Sequence, residues 1–194
     1  MDLKIKLSQR ISKNDIYEIV HLTQGNTARE QELYSLLFDA NDRVSYNAAW
    51  ILTHFSEKEN EWLYSKQTQL IDQVLTCNYI GKRRLILAII YKQPLANPPR
   101  VDFLDFCLKR MISKAEPYGT RTLCMKLAYE LCRSIPELKQ ELLITLEMME
   151  GELSSAIQVT KKHILKAIKK KEFINNNNMI YCNSYLLPKN CQNE

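Results

Sequence analysis

Apolar residues recur every three or four positions along almost the whole chain, the spacing that gathers them on one face of an α-helix. Ile16, Ile19 and Val20 mark a first helix behind a cap at Ser12 or Asn14. Leu33, Leu36, Leu37 and Ala40 mark a second from near Thr27, and Val44, Ala48, Ile51, Leu52 and Phe55 a third from near Asp42. A longer helix carries Trp62, Leu63, Leu70, Ile71, Val74 and Leu75, and the core of the next lies over residues 85–91. Pro94 and Pro99 then interrupt, because proline lacks the amide donor and clashes with the preceding turn. Helices resume over residues 100–112, 118–133, 136–150 and 154–171, with Pro117 and Pro136 where first-turn prolines belong. The sequence holds no convincing strand and no hairpin dipeptide between alternating runs.

The predicted helices pair, and the pairs repeat. Ala48, Ala88 and Ala128 are forty residues apart, each within the second helix of a pair, and Ala167 falls one short of the next step. A small residue where helices cross lets one pair pack closely on the next, and a lone pair cannot cover its own apolar face. A period near forty is that of HEAT and armadillo repeats. The expected fold is therefore all-α, a HEAT/armadillo-like α-α superhelix of about four two-helix repeats over residues 1–171. An Asn-rich tail, 172–194, follows it as a loop or a partly disordered end, because asparagine competes with the helix for backbone hydrogen bonds.

Composition narrows the function classes. Only 4 Gly occur in 194 residues, fewer than an α/β nucleotide-binding domain spends on turns and phosphate loops. The start alternates charged and apolar residues without a hydrophobic signal region, and no apolar run reaches membrane-spanning length. Cys77, Cys107, Cys124, Cys132, Cys182 and Cys191 show no Cys-x-x-Cys spacing and no histidine at ligand spacing. They read as reduced, buried small hydrophobes in a cytoplasmic protein with no metal and no cofactor.

Several stretches carry a family resemblance. Val44-Ser45-Tyr46-Asn47-Ala48-Ala49-Trp50-Ile51-Leu52 has the look of a HEAT second helix. Gly119-Thr120-Arg121, Lys126-Leu127-Ala128-Tyr129, Ile135-Pro136-Glu137-Leu138-Lys139 and Lys162-His163-Ile164-Leu165-Lys166-Ala167-Ile168 extend the match. Over roughly residues 14–170 the chain resembles short HEAT-like proteins of the Bacteroidetes, of unknown function and sometimes labelled adenylosuccinate lyase. The resemblance implies a fold rather than an activity, since these motifs are core and turn residues. Lyase activity is not expected. The chain is too short for that enzyme's tetrameric bundle, and its one Ser-Ser pair, Ser154-Ser155, sits where a helix begins, as capping serines do.

Catalytic constellations are equally sparse. His21, His54 and His163 fall in three different helices, and no phosphate loop, zinc signature or nucleophile elbow is present. Glu57, Glu59 and Glu61 cluster, as do Glu147, Glu150 and Glu152, in the manner of solvated helix ends. Asp102 and Asp105 share the first turn of a helix, where they favour its dipole.

Charge sorts by helix. The predicted second helices sum to +12 and the first helices to −9, against a net of +5 for the whole chain. In HEAT arrays the second helices line the concave surface, so the fold analogy turns this layout into a basic groove with an acidic back. Such a groove attracts an extended acidic partner. Arg83, Arg84, Arg121, Lys126, Lys162 and Lys166 are the candidate binding residues, with no catalytic residue. An acidic protein or peptide is the favoured partner and a nucleic-acid backbone the alternative. The latter would resemble HEAT-like alkylpurine DNA glycosylases, with Trp50, Tyr46 and Asp42 as the groove aromatics and acid. The six lysines of residues 154–171 also suit a polar cap closing the array.

Overall fold

Local capping signals start the helices of the first third of the chain. In the computed structural model, which describes residues 2–176 apart from 134, 150 and 152, the side chains of Asp2, Ser12, Asn26, Asn41 and Ser56 each accept a backbone amide of the turn that follows. A helix start leaves its first amides without internal partners, so each such cap contributes about 1 kcal/mol. These caps open α1 (Leu3–Leu7), α2 (Lys13–Thr23), α3 (Thr27–Leu36), α4 (Asp42–Leu52) and α5 (Glu57–Trp62). At Ser12 and Ser56 the acid three residues on, Asp15 or Glu59, reaches back to the cap's own amide and completes a capping box. A 3-10 turn, Leu63–Lys66, leads into α6 (Gln67–Thr76). Then come α7 (Ile80–Tyr91), α8 (Val101–Ile112), α9 (Tyr118–Cys132), α10 (Pro136–Glu147) and α11 (Ser155–Asn176), with no strand among the described residues.

Three helix pairs in contact result, α3 with α4, α6 with α7, and α8 with α9, and α10 and α11 both pack on α9. The helices α4, α7, α9 and α11 pack against one another in that order and form one layer. On the other side α6 meets α8 and α8 meets α10, while α1 and α2 close the start of the array against α4. The core between the layers holds Ile51 and Leu52 of α4, Ile86 and Ile90 of α7, Phe103 and Met111 of α8, and Cys124 and Leu127 of α9, all essentially inaccessible. Each such side chain contributes about 1.5–3 kcal/mol relative to exposure.

Three expectations are revised. The opening residues, read as a plain charged-apolar alternation, form α1, which buries Leu3 and Leu7 one turn apart. Asn47 of α4 fixes α1 by donating to the Leu7 carbonyl at 2.9 Å and the Gln9 carbonyl at 3.1 Å. The single long helix over residues 57–76 is divided, because Lys66 leaves the helical region at φ −101°, ψ 0°. That break sets buried Gln67 against the proline segment, where its amide donates to the Pro94 carbonyl at 3.0 Å and its oxygen accepts the Ala96 amide at 3.1 Å. Finally, α11 continues to Asn176, past the expected boundary at 171, since no Pro or Gly falls within it. The rest of the expected tail, 177–194 with Cys182 and Cys191, lies outside the described residues.

The forty-residue alanines are not equivalent. Ala48 and Ala128 are fully buried where helices cross. Ala88 is half-buried and opens on the side of α7 that no helix covers.

Candidate functional site

Two of the six candidate arginines and lysines turn out to be internal. Arg83 is 4% exposed and Arg121 6%. Each is the fourth residue of its helix and reaches back to the end of the preceding first helix. Arg83 donates to the Cys77 carbonyl just past α6 at 2.7 Å, and Arg121 Nε donates to the Met111 carbonyl near the end of α8 at 2.9 Å. Carbonyls at a helix end lack internal partners, and a guanidinium both satisfies them and complements the helix dipole. The two arginines therefore clip helical hairpins shut. Arg83 also pairs with Glu116, in the turn between α8 and α9, and Arg110 joins the same carboxylate oxygen at 2.9 Å. Both arginines are removed from the set that a partner could touch.

The other four remain accessible, in two places. From Lys82 to Ile90 every residue of α7 is buried except Arg84 and half-buried Ala88, so the open part of α7 is one narrow strip. A step of about 100° per residue carries Arg83 inward and Arg84 outward. Arg84 extends along α9, where a Cβ on Gly119 would sit 3.5 Å from its Cδ. Further along, Lys126 of α9 places its ammonium 5.3 Å from the centre of the Tyr91 ring of α7, a cation-π contact. Lys162 and Lys166 lie one turn apart on α11, exposed and across the helix from its packing stripe of Ile157, Ile164 and Ile168. Among the described residues none of these four forms an ion pair.

At the α4 end, the strip turns aromatic. Tyr17 of α2 meets the His54 ring at 5.9 Å, His54 meets Trp50 at 6.5 Å, Trp50 meets Tyr46 at 6.4 Å, and Tyr46 meets Tyr79 at 5.5 Å. Tyr46, Trp50 and His54 are spaced by four along and just beyond α4, which is why one stripe holds them. Gly81 at the start of α7 lets Tyr46 approach, for a Cβ there would meet the ring at 3.0 Å. The sequence singled out Tyr46 and Trp50 but not Tyr17 or Tyr79, which only the fold brings alongside.

Next to Tyr79 is an open pocket of about 430 Å³ at the joint of α4, α6 and α7. Asp42, Gln73, Thr76, Asn78, Tyr79 and Lys82 line it. Lys82 is 6% exposed, and no hydrogen bond or ion pair to it is formed among the described residues. Burial pushes its ammonium pKa down, with Cys77 and Asp42 acting in the opposite sense.

Several side chains of catalytic type have other partners or are buried. His54 Nδ1 lies 3.0 Å from the Trp50 carbonyl. Cys77, Cys107, Cys124 and Cys132 are free thiols in the core, and burial pushes the Cys132 thiol up to about 12. Asp102 is held below the usual carboxylate range by Arg100, which also bonds Asp72 at 2.7 Å. Among the described residues no group of three His, Cys, Asp or Glu side chains is placed to hold a metal ion.

No described helix is long and apolar enough to cross a membrane. No curated protein and no solved structure matches the chain. The family described as HEAT repeat domain does match, over residues 3–168, from α1 into α11. The chain thus belongs to the HEAT repeat domain family, whose members are generally non-catalytic.

Proposed function

We propose that this protein is a non-catalytic binding scaffold that holds an acidic protein or peptide segment against the open face of its second helices. HEAT repeats commonly mediate protein–protein interaction, and stacked helix pairs offer long surfaces for it. The observation that carries the reading is the set of accessible cations without acidic partners, Arg84, Lys126, Lys162 and Lys166. A charge left unpaired on an otherwise buried helix such as α7 is available to steer and hold an oppositely charged chain. The aromatic row from Tyr17 to Tyr79 adds apolar contact area beside it.

The test uses the full chain and two probes, an N-acetylated hexaglutamate peptide and a short DNA duplex, over a salt series. Peptide binding that weakens with salt and is lost on joint reversal of the four cations to glutamate supports the reading. Tighter, steeply salt-dependent binding of the duplex would replace the acidic segment with a nucleic-acid backbone. Weak, salt-insensitive binding of both probes overturns the scaffold reading.

A further inference from the structure

The pocket beside Tyr79 is lined by Lys82, a buried lysine with no acid or carbonyl bonded to it among the described residues, and by exposed Asp42. α7 begins at the same place, and its N-cap, Tyr79, supplies no side-chain oxygen to the first amides. The positive end of the helix dipole therefore has no side-chain cap there. Gln73 and Asn78 add amide donors to the wall, while the Thr76 hydroxyl is already donating to the Asp72 carbonyl at 3.0 Å. Opposing these, Asp42 stands exposed on the pocket wall without an ion pair.

We propose that this pocket receives one carboxylate side chain of the acidic partner, an Asp or Glu that docks on Lys82 at the start of α7. The inference rests on the scaffold reading given above and names an anchor within it. One carboxylate restores the hydrogen bonds the ammonium lost on burial, and a charge-assisted bond of this kind is among the stronger polar contacts. Asp42 on the same wall opposes any anion that enters. A doubly charged phosphate doubles both its attraction to Lys82 and its repulsion from Asp42, so charge alone does not favour it, and the carboxylate is taken from the acidic segment already proposed as partner. The pocket also adjoins the aromatic row through Tyr79, so a chain lying on that row passes its mouth.

Hexaglutamate binding and the ε-methylene NMR signal of Lys82 together decide the matter. Lys82→Gln should weaken the peptide on the order of tenfold, Lys82→Arg should keep part of the affinity, and Asp42→Asn should tighten it. The Lys82 signal should move on addition of the peptide and stay put with inorganic phosphate. If the peptide binds, responds to Arg84→Glu and Lys126→Glu, but leaves the Lys82 signal and the Lys82→Gln affinity unchanged, the anchor is wrong and the scaffold reading stands. If phosphate shifts the signal more than the peptide does, the carboxylate assignment is wrong. If the peptide binds nowhere even at low salt, both readings fall. Unfolding curves for Lys82→Gln and Lys82→Arg separate a lost contact from a lost fold.

Discussion

The corners that join first helices to second helices and the open strip shared by the second helices draw on the same residue types and use them oppositely. At the corners, Arg83 and Arg121 are enclosed and bonded to the carbonyls of Cys77 and Met111, and Glu116 is enclosed between Arg83 and Arg110. On the strip, Arg84 and Lys126 form no ion pair among the described residues. The corner charges specify how each helix follows the last. Those on the strip are left over for something outside the molecule. Adjacent arginines in the sequence thus belong to different parts of the protein's working.

The strongest way to break this contrast is at Glu116. Glu116→Leu strands buried Arg83 and should cost about 3–5 kcal/mol of stability, read from urea unfolding. One Glu116 oxygen and Arg83 Nε have no hydrogen-bond partner, so the buried pair is incompletely satisfied. Arg83→Met combined with Glu116→Leu should therefore recover part of that loss. A double cost equal to the sum of the singles would show that the pair is not coupled.

Arg121→Ala comes next. It removes one clip and leaves the Met111 carbonyl buried, which should cost about 1–3 kcal/mol. Arg84→Ala, the comparison on the strip, should stay within about 0.5 kcal/mol. Equal costs for the two would erase the distinction.

The paired glycines sharpen it further. Gly81 and Gly119 are each the second residue of their helix. Alanine at Gly119 meets only the flexible Arg84 stem, so Gly119→Ala should gain about 0.5 kcal/mol from the helix preference of alanine. Gly81→Ala forces the Tyr46 ring to move and should gain nothing. Thermal unfolding of the two variants makes the comparison.

A pH-dependent effect comes from the thiol side of the same interior. Burial raises the Cys132 pKa to about 12, above its value of about 8.5 in an unfolded chain. The folded state thus binds the proton more tightly. Stability should be flat below pH about 8.5 and fall as pH rises from there toward 12. Urea midpoints measured from neutral to alkaline pH, with Cys132→Ala as control, test the sign. The smallest expected change is in stability on reversing both strip charges, Arg84→Glu with Lys126→Glu, within about 0.5 kcal/mol, although peptide binding should be much reduced.

Most of the fold was legible in the sequence because its signals are local. A cap at Ser12 or Asn14, the proline interruption after α7, and apolar spacing placed nearly all helices within a few residues. What was missed involves partners far along the chain. The first turn could not be recognised from Leu3 and Leu7 alone, as Asn47 supplies its anchorage. The break at Lys66 becomes sensible only when the 94–96 backbone needs Gln67. For the candidate site, the sequence named six cations, of which four stay accessible. Lys82 and Tyr79 gave no periodic or motif signal, because their place in a pocket depends on three helices meeting.

The sequence by itself determined that this chain would form stacked helical pairs, since helix formation, capping and termination are decided within a few residues of each position. It also determined how much positive charge the second helices carry. Only the tertiary structure decided what each charge does. A helix covered on two sides by its neighbours leaves one narrow line open, and a rotation of one residue sends Arg83 to a carbonyl and Arg84 to water.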